Sequence, residues 1–190
     1  MLLSNRIEEE RLSELRGTAQ AIITSGERLA YEDIDFPSKN VRRPPLIVIV
    51  DKTADIDPKA KVLKSHGRVM LATCKKAHKS RLKRMEDAKK GLIVSEFGEH
   101  AVNLEDMVWE LGKGGVERII VEGDHSLNMR MLNHGLVDEL YVLLAPVIMG
   151  TDYKPVWEGR LERRKGLQLE GIIQYGDHLV LHYVMVEKRS

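Results

Sequence analysis

The sequence predicts an α/β protein: a mostly parallel central sheet flanked by helices and finished by a C-terminal antiparallel hairpin. Three patterns lead to this. Short β-branched apolar runs, of which Leu46-Ile47-Val48-Ile49-Val50 is the plainest, carry no charge and suit strands covered on both faces, as in parallel sheets. Between these runs lie segments whose apolar residues recur three and four apart, the period of an amphipathic helix. Toward the C terminus the pattern becomes alternation: Leu167 and Leu169, then Leu179, Leu181, Tyr183 and Met185, on either side of the turn signal Gly176-Asp177.

In chain order, Asn5 followed by Glu8 resembles a capping box, and Ile7, Leu12 and Leu15 form an apolar stripe ending at Gly17, so a short helix is expected. Ala21-Ile22-Ile23 reads as a buried strand. Residues 25–43 are polar, with little periodicity and an acidic cluster at Glu32, Asp33 and Asp35, and read as a long loop. Pro44-Pro45 ends it, and the run from Leu46 to Val50 is the next strand. Residues 69–72 repeat the strand signature, a basic helix with Leu82, Met85 and Ala88 follows, and Leu92-Ile93-Val94 is another strand. Asn103 is placed to cap a helix carrying Leu104, Met107, Val108 and Leu111, which Gly114-Gly115 ends. Ile119-Ile120-Val121 enters the sheet, a turn at Glu122-Gly123-Asp124 opens a helix through Leu127 and Met131, and Gly135 closes it. Residues 140–144 are the next strand. With no internal repeat, low-complexity tract or linker, residues 1–190 read as one domain.

Composition excludes several function classes. The 30 basic and 29 acidic side chains nearly cancel, so no global field draws the chain to nucleic acid or an anionic membrane. The longest apolar run, residues 140–149, contains Pro146 and is about half the ~20 residues a spanning helix needs. A lone Cys74 and charges throughout the first 30 residues fit a reducing cytoplasm. None of the seven histidines forms a zinc-type pair, so no metal site is expected. Gly-x-Ser-x-Gly, a Walker loop and Gly-x-Gly-x-x-Gly are all missing. The basic run of residues 75–90 has no interleaved aromatics and reads as a solvated helix face.

In an open α/β sheet ligands bind outside the carboxyl ends of the strands, which directs attention to residues 24–28, Asp51-Lys52-Thr53, Thr73 and residues 122–127. Gly123 would let backbone approach a ligand while the following helix aims free N–H groups at a phosphate; equally, Gly123 serves a tight turn and Asp124 caps the helix. Glu122 is either a substrate anchor, whose pKa partial desolvation would raise, or a solvated strand-end carboxylate. Lys52, Thr53 and Thr73 are candidates for a phosphate monoester, although such residues follow most strands and are usually solvated.

These residues carry a resemblance. Ile119-Ile120-Val121-Glu122-Gly123, Leu127, the run Gly135-Leu136-Val137-Asp138-Glu139-Leu140, then Ala145-Pro146 and Gly150 resemble the reductase domain of riboflavin biosynthesis, which has a dihydrofolate-reductase-like fold. Leu15-Arg16, the stretch from Ala21 to Ser25, residues 48–51 and residues 58–63 match as well. The resemblance implies NADPH-dependent reduction of the ribosylamino side chain of a pyrimidine 5′-phosphate to ribitylamino, in a cytoplasmic homodimer that binds no nucleic acid and no membrane. It implies substrate contacts at Arg16, Phe36, Lys39 and Glu122. It implies cofactor contacts at Arg28, Glu32, Asp51, Lys52, Thr73, Gly123, Asp124, His125, Ser126 and Leu127, with the NADPH phosphates against the start of the last helix.

Departures from the family pattern shape the expectations. Asp124 stands where the family has a second glycine, Arg28 for a threonine, Glu32 for an aspartate, Lys52 for a serine, and Lys39 for an arginine on the substrate phosphate. The chain begins near the family's first helix, so the leading strand that lies inside the sheet is expected to be missing, its neighbours lacking ladder partners unless the sheet is rearranged, a partner donates a strand, or the natural start lies upstream. A dihydrofolate-reductase-like reductase of another substrate and a non-catalytic binding subunit of the same fold are the alternative readings.

Overall fold

A computed structural model of the chain describes residues 6–37, 41–148 and 160–186. Five strands, β1 (Ala21–Ser25), β2 (Leu46–Val50), β3 (Val69–Thr73), β4 (Ile93–Glu96) and β5 (Ile119–Val121), form an all-parallel sheet in the order β4-β3-β2-β1-β5. β1 and β2 pair in register from Ala21↔Leu46 to Ser25↔Val50, and β1 and β5 from Ala21↔Ile119 to Ile23↔Val121. The charge-free runs are central: every residue of β1 and β2 is buried.

Alternation along each strand sends side chains to two cores. On one face Ile23, Val48 and Ala72 meet Leu104, Met107 and Leu111 of α5 (Leu104–Lys113) and Leu127 and Met131 of α6 (His125–Asn133). On the other, Ile22, Ile49 and Leu71 meet Leu29 of α2 (Gly26–Tyr31), Val62 and Leu63 of α3 (Lys61–Lys64) and Met85 of α4 (Lys79–Ala88). α1 (Arg6–Thr18) precedes β1. The cap expected at Asn103 is made, its Oδ1 accepting from the N–H groups of Glu105 (3.0 Å) and Asp106 (3.1 Å). Gly135, at φ 68°, closes α6 as expected.

The antiparallel part is larger than a hairpin at the sheet's edge. β7 (Gly166–Tyr175) and β8 (His178–Val186) form the expected hairpin, but β6 (Glu139–Leu144) pairs with β8, making a second, three-stranded sheet in the order β6-β8-β7. The sequence pattern marks a strand at 140–144 without a partner, because an apolar run suits either sheet. Among the described residues β5 pairs only with β1 and β6 only with β8, so each sheet has an open edge next to the α6 crossover.

The long loop of residues 25–43 contains a helix, α2, that periodicity misses. It has six residues and one buried side chain, Leu29, and is set by a cap: Ser25 Oγ accepts from the Arg28 N–H at 3.1 Å. The acidic cluster also has structural work. Glu32 pairs with Arg28, and Asp33 Oδ1 accepts from the Lys61 N–H at 2.8 Å, serving the start of α3. Asn5, Lys39 and Gly150 lie outside the described residues.

Candidate functional site

Because the five strands are parallel, their carboxyl ends share one rim, and the segments after β1, β2, β3 and β5 meet there. Arg16, near the end of α1, reaches the end of β5: its Nε and Nη2 donate to Oε1 and Oε2 of Glu122, both at 2.7 Å. Both side chains are 7% exposed. A carboxylate so buried needs full compensation, and a bidentate guanidinium provides it. Arg28 adds a second cation, its Nη1 donating to the Glu122 carbonyl at 2.7 Å and lying 3.4 Å from Oε2, while its Nε and Nη2 hold Glu32. The Arg16 guanidinium lies 5.2 Å from the centre of the Phe36 ring, which is buried and held at φ 53°. The structure thus gathers Arg16, Phe36, Glu122, Arg28 and Glu32 into one cluster, and Glu122 is no solvated strand end.

Asp51 is also committed. Its Oδ1 accepts from the N–H and hydroxyl of Thr53 (2.8 and 2.7 Å) and the Ala54 N–H (3.2 Å), and its Oδ2 from the Asp55 N–H (3.0 Å). It therefore shapes the loop that carries the exposed Lys52. The same carboxylate fills the space beside Gly26, where an added Cβ would stand 2.5 Å from Oδ2. Thr73 ends β3 fully buried, and its Oγ1 has no hydrogen-bond partner among the described residues.

At the end of β5 the contacts favour turn and cap. A Cβ on Gly123 would lie 2.8 Å from Leu127 Cδ2 and 2.9 Å from Asn128 Oδ1, so glycine is required there by its own helix. The Asp124 carboxylate accepts from the N–H of Ser126 (3.0 Å), occupying a donor that a ligand phosphate would use. His125 is half-buried, Ser126 is exposed, and Leu127 sits in the core.

Ser25 and Glu27 complete the rim; both lie in the segment 24–28 that the sequence marks for inspection, but neither is given a role there. Ser25 Oγ accepts from the N–H of Asp124 (3.2 Å) as well as that of Arg28, tying β1 to the start of α6. Asp124, ahead of burial and Asp51, pushes the exposed Glu27 above the ordinary glutamate value, against a smaller opposing pull from Lys52. Burial alone would raise Asp124, but hydrogen bonds from Ser25 and Ser126 hold it below the usual aspartate value. The available signal was Ser25 three residues before Arg28, with an acid in the first turn, an N-cap pattern too short to carry a periodicity.

A parallel sheet whose carboxyl rim collects glycines, a helix start and convergent polar groups defines the class of α/β proteins that bind ligands outside that rim. Within it, this chain belongs to the RibD C-terminal domain family, whose pattern matches residues 3–181. It is 27% identical over 187 residues to the 2,5-diamino-6-ribosylamino-4(3H)-pyrimidinone 5′-phosphate reductase of Aquifex aeolicus, covering 93% of this chain and 81% of that protein. It is 29% identical over 196 residues to the protein of the same name from Methanothermobacter thermautotrophicus, covering 96% and 88%. Its fold matches that of Acinetobacter baumannii RibD with a TM-score of 0.82 at 18% identity, over 98% of this chain and 52% of that one. This chain spans about half the length of that protein.

Proposed function

We propose that the chain is a single-domain NADPH-dependent reductase that converts the ribosylamino side chain of a pyrimidine 5′-phosphate to ribitylamino. Family membership supports the reaction class, and the observation that carries the reading is the convergence of Ser25, Lys52, Thr73 and residues 122–127 on one rim of a parallel sheet. NADPH would supply the hydride, a chemistry that asks the protein for position and electrostatics and no nucleophile.

The rim fits such a cofactor. Thr73 Oγ1 is a buried hydroxyl without a partner among the described residues, Lys52 is an exposed ammonium on a loop fixed by Asp51, and the Ser126 side chain is exposed at the start of α6. In this reading Lys52 neutralises the 2′-phosphate. Arg16, Phe36 and Glu122, with Lys39 from outside the described residues, wall the substrate side. The buried, bidentate pair with Arg16 fixes the Glu122 side chain. The site belongs to the cytoplasm, where the lone Cys74 stays reduced.

The test is loss of reduced-nicotinamide absorbance with the ribosylaminopyrimidine phosphate, paired with Lys52→Ala. A charge-assisted contact to phosphate is worth about 1.5–3 kcal/mol, so this variant should weaken NADPH binding tenfold or more and leave NADH unchanged. Equal weakening of both, or of neither, rejects the assignment of Lys52.

A further inference from the structure

Helix α1 buries polar side chains where a core would take apolar ones. Among its described side chains the two buried ones are Ser13, 4% exposed, and Arg16, 6% exposed, while Leu12 and Leu15 are only partly covered. Three positions separate Ser13 from Arg16, so the two share a helix face, about 4.5 Å apart along the axis. That is the face Arg16 turns to Glu122, through two 2.7 Å bonds, and to Phe36, whose ring centre lies 5.2 Å from the guanidinium. Arg16 is accounted for by Glu122. Ser13 has no such account: its Oγ is buried without a hydrogen-bond partner among the described residues, and it does not turn back on the carbonyl four residues earlier, as helical serines commonly do.

A hydroxyl in that state works against the fold. It has lost its hydration and gained no bond in return. Alanine would fill the same space, suit the helix better and leave nothing unpaired. Disagreement of this kind between a residue and its surroundings is what functional positions carry.

We propose that Ser13 is a specificity residue of the substrate side, its hydroxyl hydrogen-bonding an uncharged polar group of the substrate beside the Arg16–Glu122 pair. This rests on the reductase reading and adds to the substrate wall a contact that the family resemblance does not supply.

The neighbourhood selects the chemistry of the partner. Arg16 and Glu122 neutralise each other, and Arg28 is held by Glu32 and by the Glu122 carbonyl, so the groups around Ser13 present no spare cation to a phosphate. What the face offers is the Phe36 ring and a hydroxyl that both donates and accepts, which suits a neutral carbonyl, amino or hydroxyl group. In a site closed to water such a bond is strong, and removing the protein's half of it leaves the ligand's half unpaired.

The experiment compares the full chain with Ser13→Ala in thermal unfolding and in steady-state reduction of the ribosylaminopyrimidine phosphate by NADPH, at low and at high salt. Ser13→Ala should raise the unfolding midpoint of the free protein, by about 2–4 °C. It should also raise KM for the pyrimidine substrate about tenfold, leave KM for NADPH where it was, and do so equally at both salt concentrations. A lowered midpoint would show that the hydroxyl serves the fold and overturns the proposal before any assay is run. An unchanged KM for the pyrimidine, or an equal rise for NADPH, overturns it as well, and an effect that shrinks with salt overturns the assignment to an uncharged group. In each of these cases turnover by the wild type leaves the reductase reading standing. Absence of wild-type turnover, with no thermal shift on adding the substrate, overturns that reading and the role of Ser13 together.

Discussion

At the scale of single residues the Arg16–Glu122 pair is the feature most exposed to test. Two 2.7 Å bonds between side chains that are 7% exposed make a buried ion pair, and removing one partner strands the other charge. Arg16→Met should cost about 3 kcal/mol in urea unfolding, whereas Arg16→Met with Glu122→Leu should recover most of the loss, because paired apolar replacements are tolerated where half-removed pairs are not. A loss below about 1 kcal/mol for the single variant would mark the pair as no better than a surface bridge. Much of this cluster was legible in the sequence. Glu122 stood at the mouth of an apolar strand, and the resemblance picked out Arg16 and Phe36. That Glu122 is bound by Arg16 itself was not legible, since the two are 106 positions apart and only the fold joins α1 to the end of β5. Ser25 lay in the marked segment 24–28, but its role in tying β1 to Asp124 was not legible, since the two are 99 positions apart and Asp124 read equally well as a lone helix cap.

Among elements, α5 gives the cleanest case of local sequence fixing local structure. Asn103 caps it, Met107 and Leu111 bury one stripe, and Gly115 leaves it at φ 85° with open space where a Cβ would go. Gly115→Ala should therefore destabilise by about 1 kcal/mol through backbone strain alone. Gly112, inside the helix and also with open space, should give the opposite sign, up to about 1 kcal/mol of added stability as alanine. Thermal unfolding of the two variants reads this directly, and a shared sign would contradict the placement of the helix end. Elements without a stripe were the ones lost. α2 has one buried residue, and α3 takes a cap from Asp33, 28 positions away, so neither leaves a periodic trace. β6 was found as a strand but not given its sheet, because pairing is decided by β8, some 40 residues later.

For the whole molecule, the second sheet sets the open question of what covers it. Register places Leu144, Leu169, Ile172 and Leu181 on one face, together with Leu167, and four of these five are more than 40% exposed. Monomeric proteins rarely expose contiguous apolar patches beyond roughly 300–600 Å². This face supports a proposal of the homodimer that the family resemblance implies, and Leu169→Lys with Ile172→Glu should convert such a dimer to monomer in sedimentation velocity while leaving the parallel sheet folded. A wild-type monomer at micromolar concentration would remove the dimer from the proposal. The reductase reading itself turns on whether hydride moves. The most direct measurement incubates the chain with NADPH deuterated at the transferred position and the ribosylaminopyrimidine phosphate, and weighs the product. A ribitylamino product carrying one deuterium is the expected result; unchanged substrate, from protein shown to be folded and to bind NADP⁺, would contradict it.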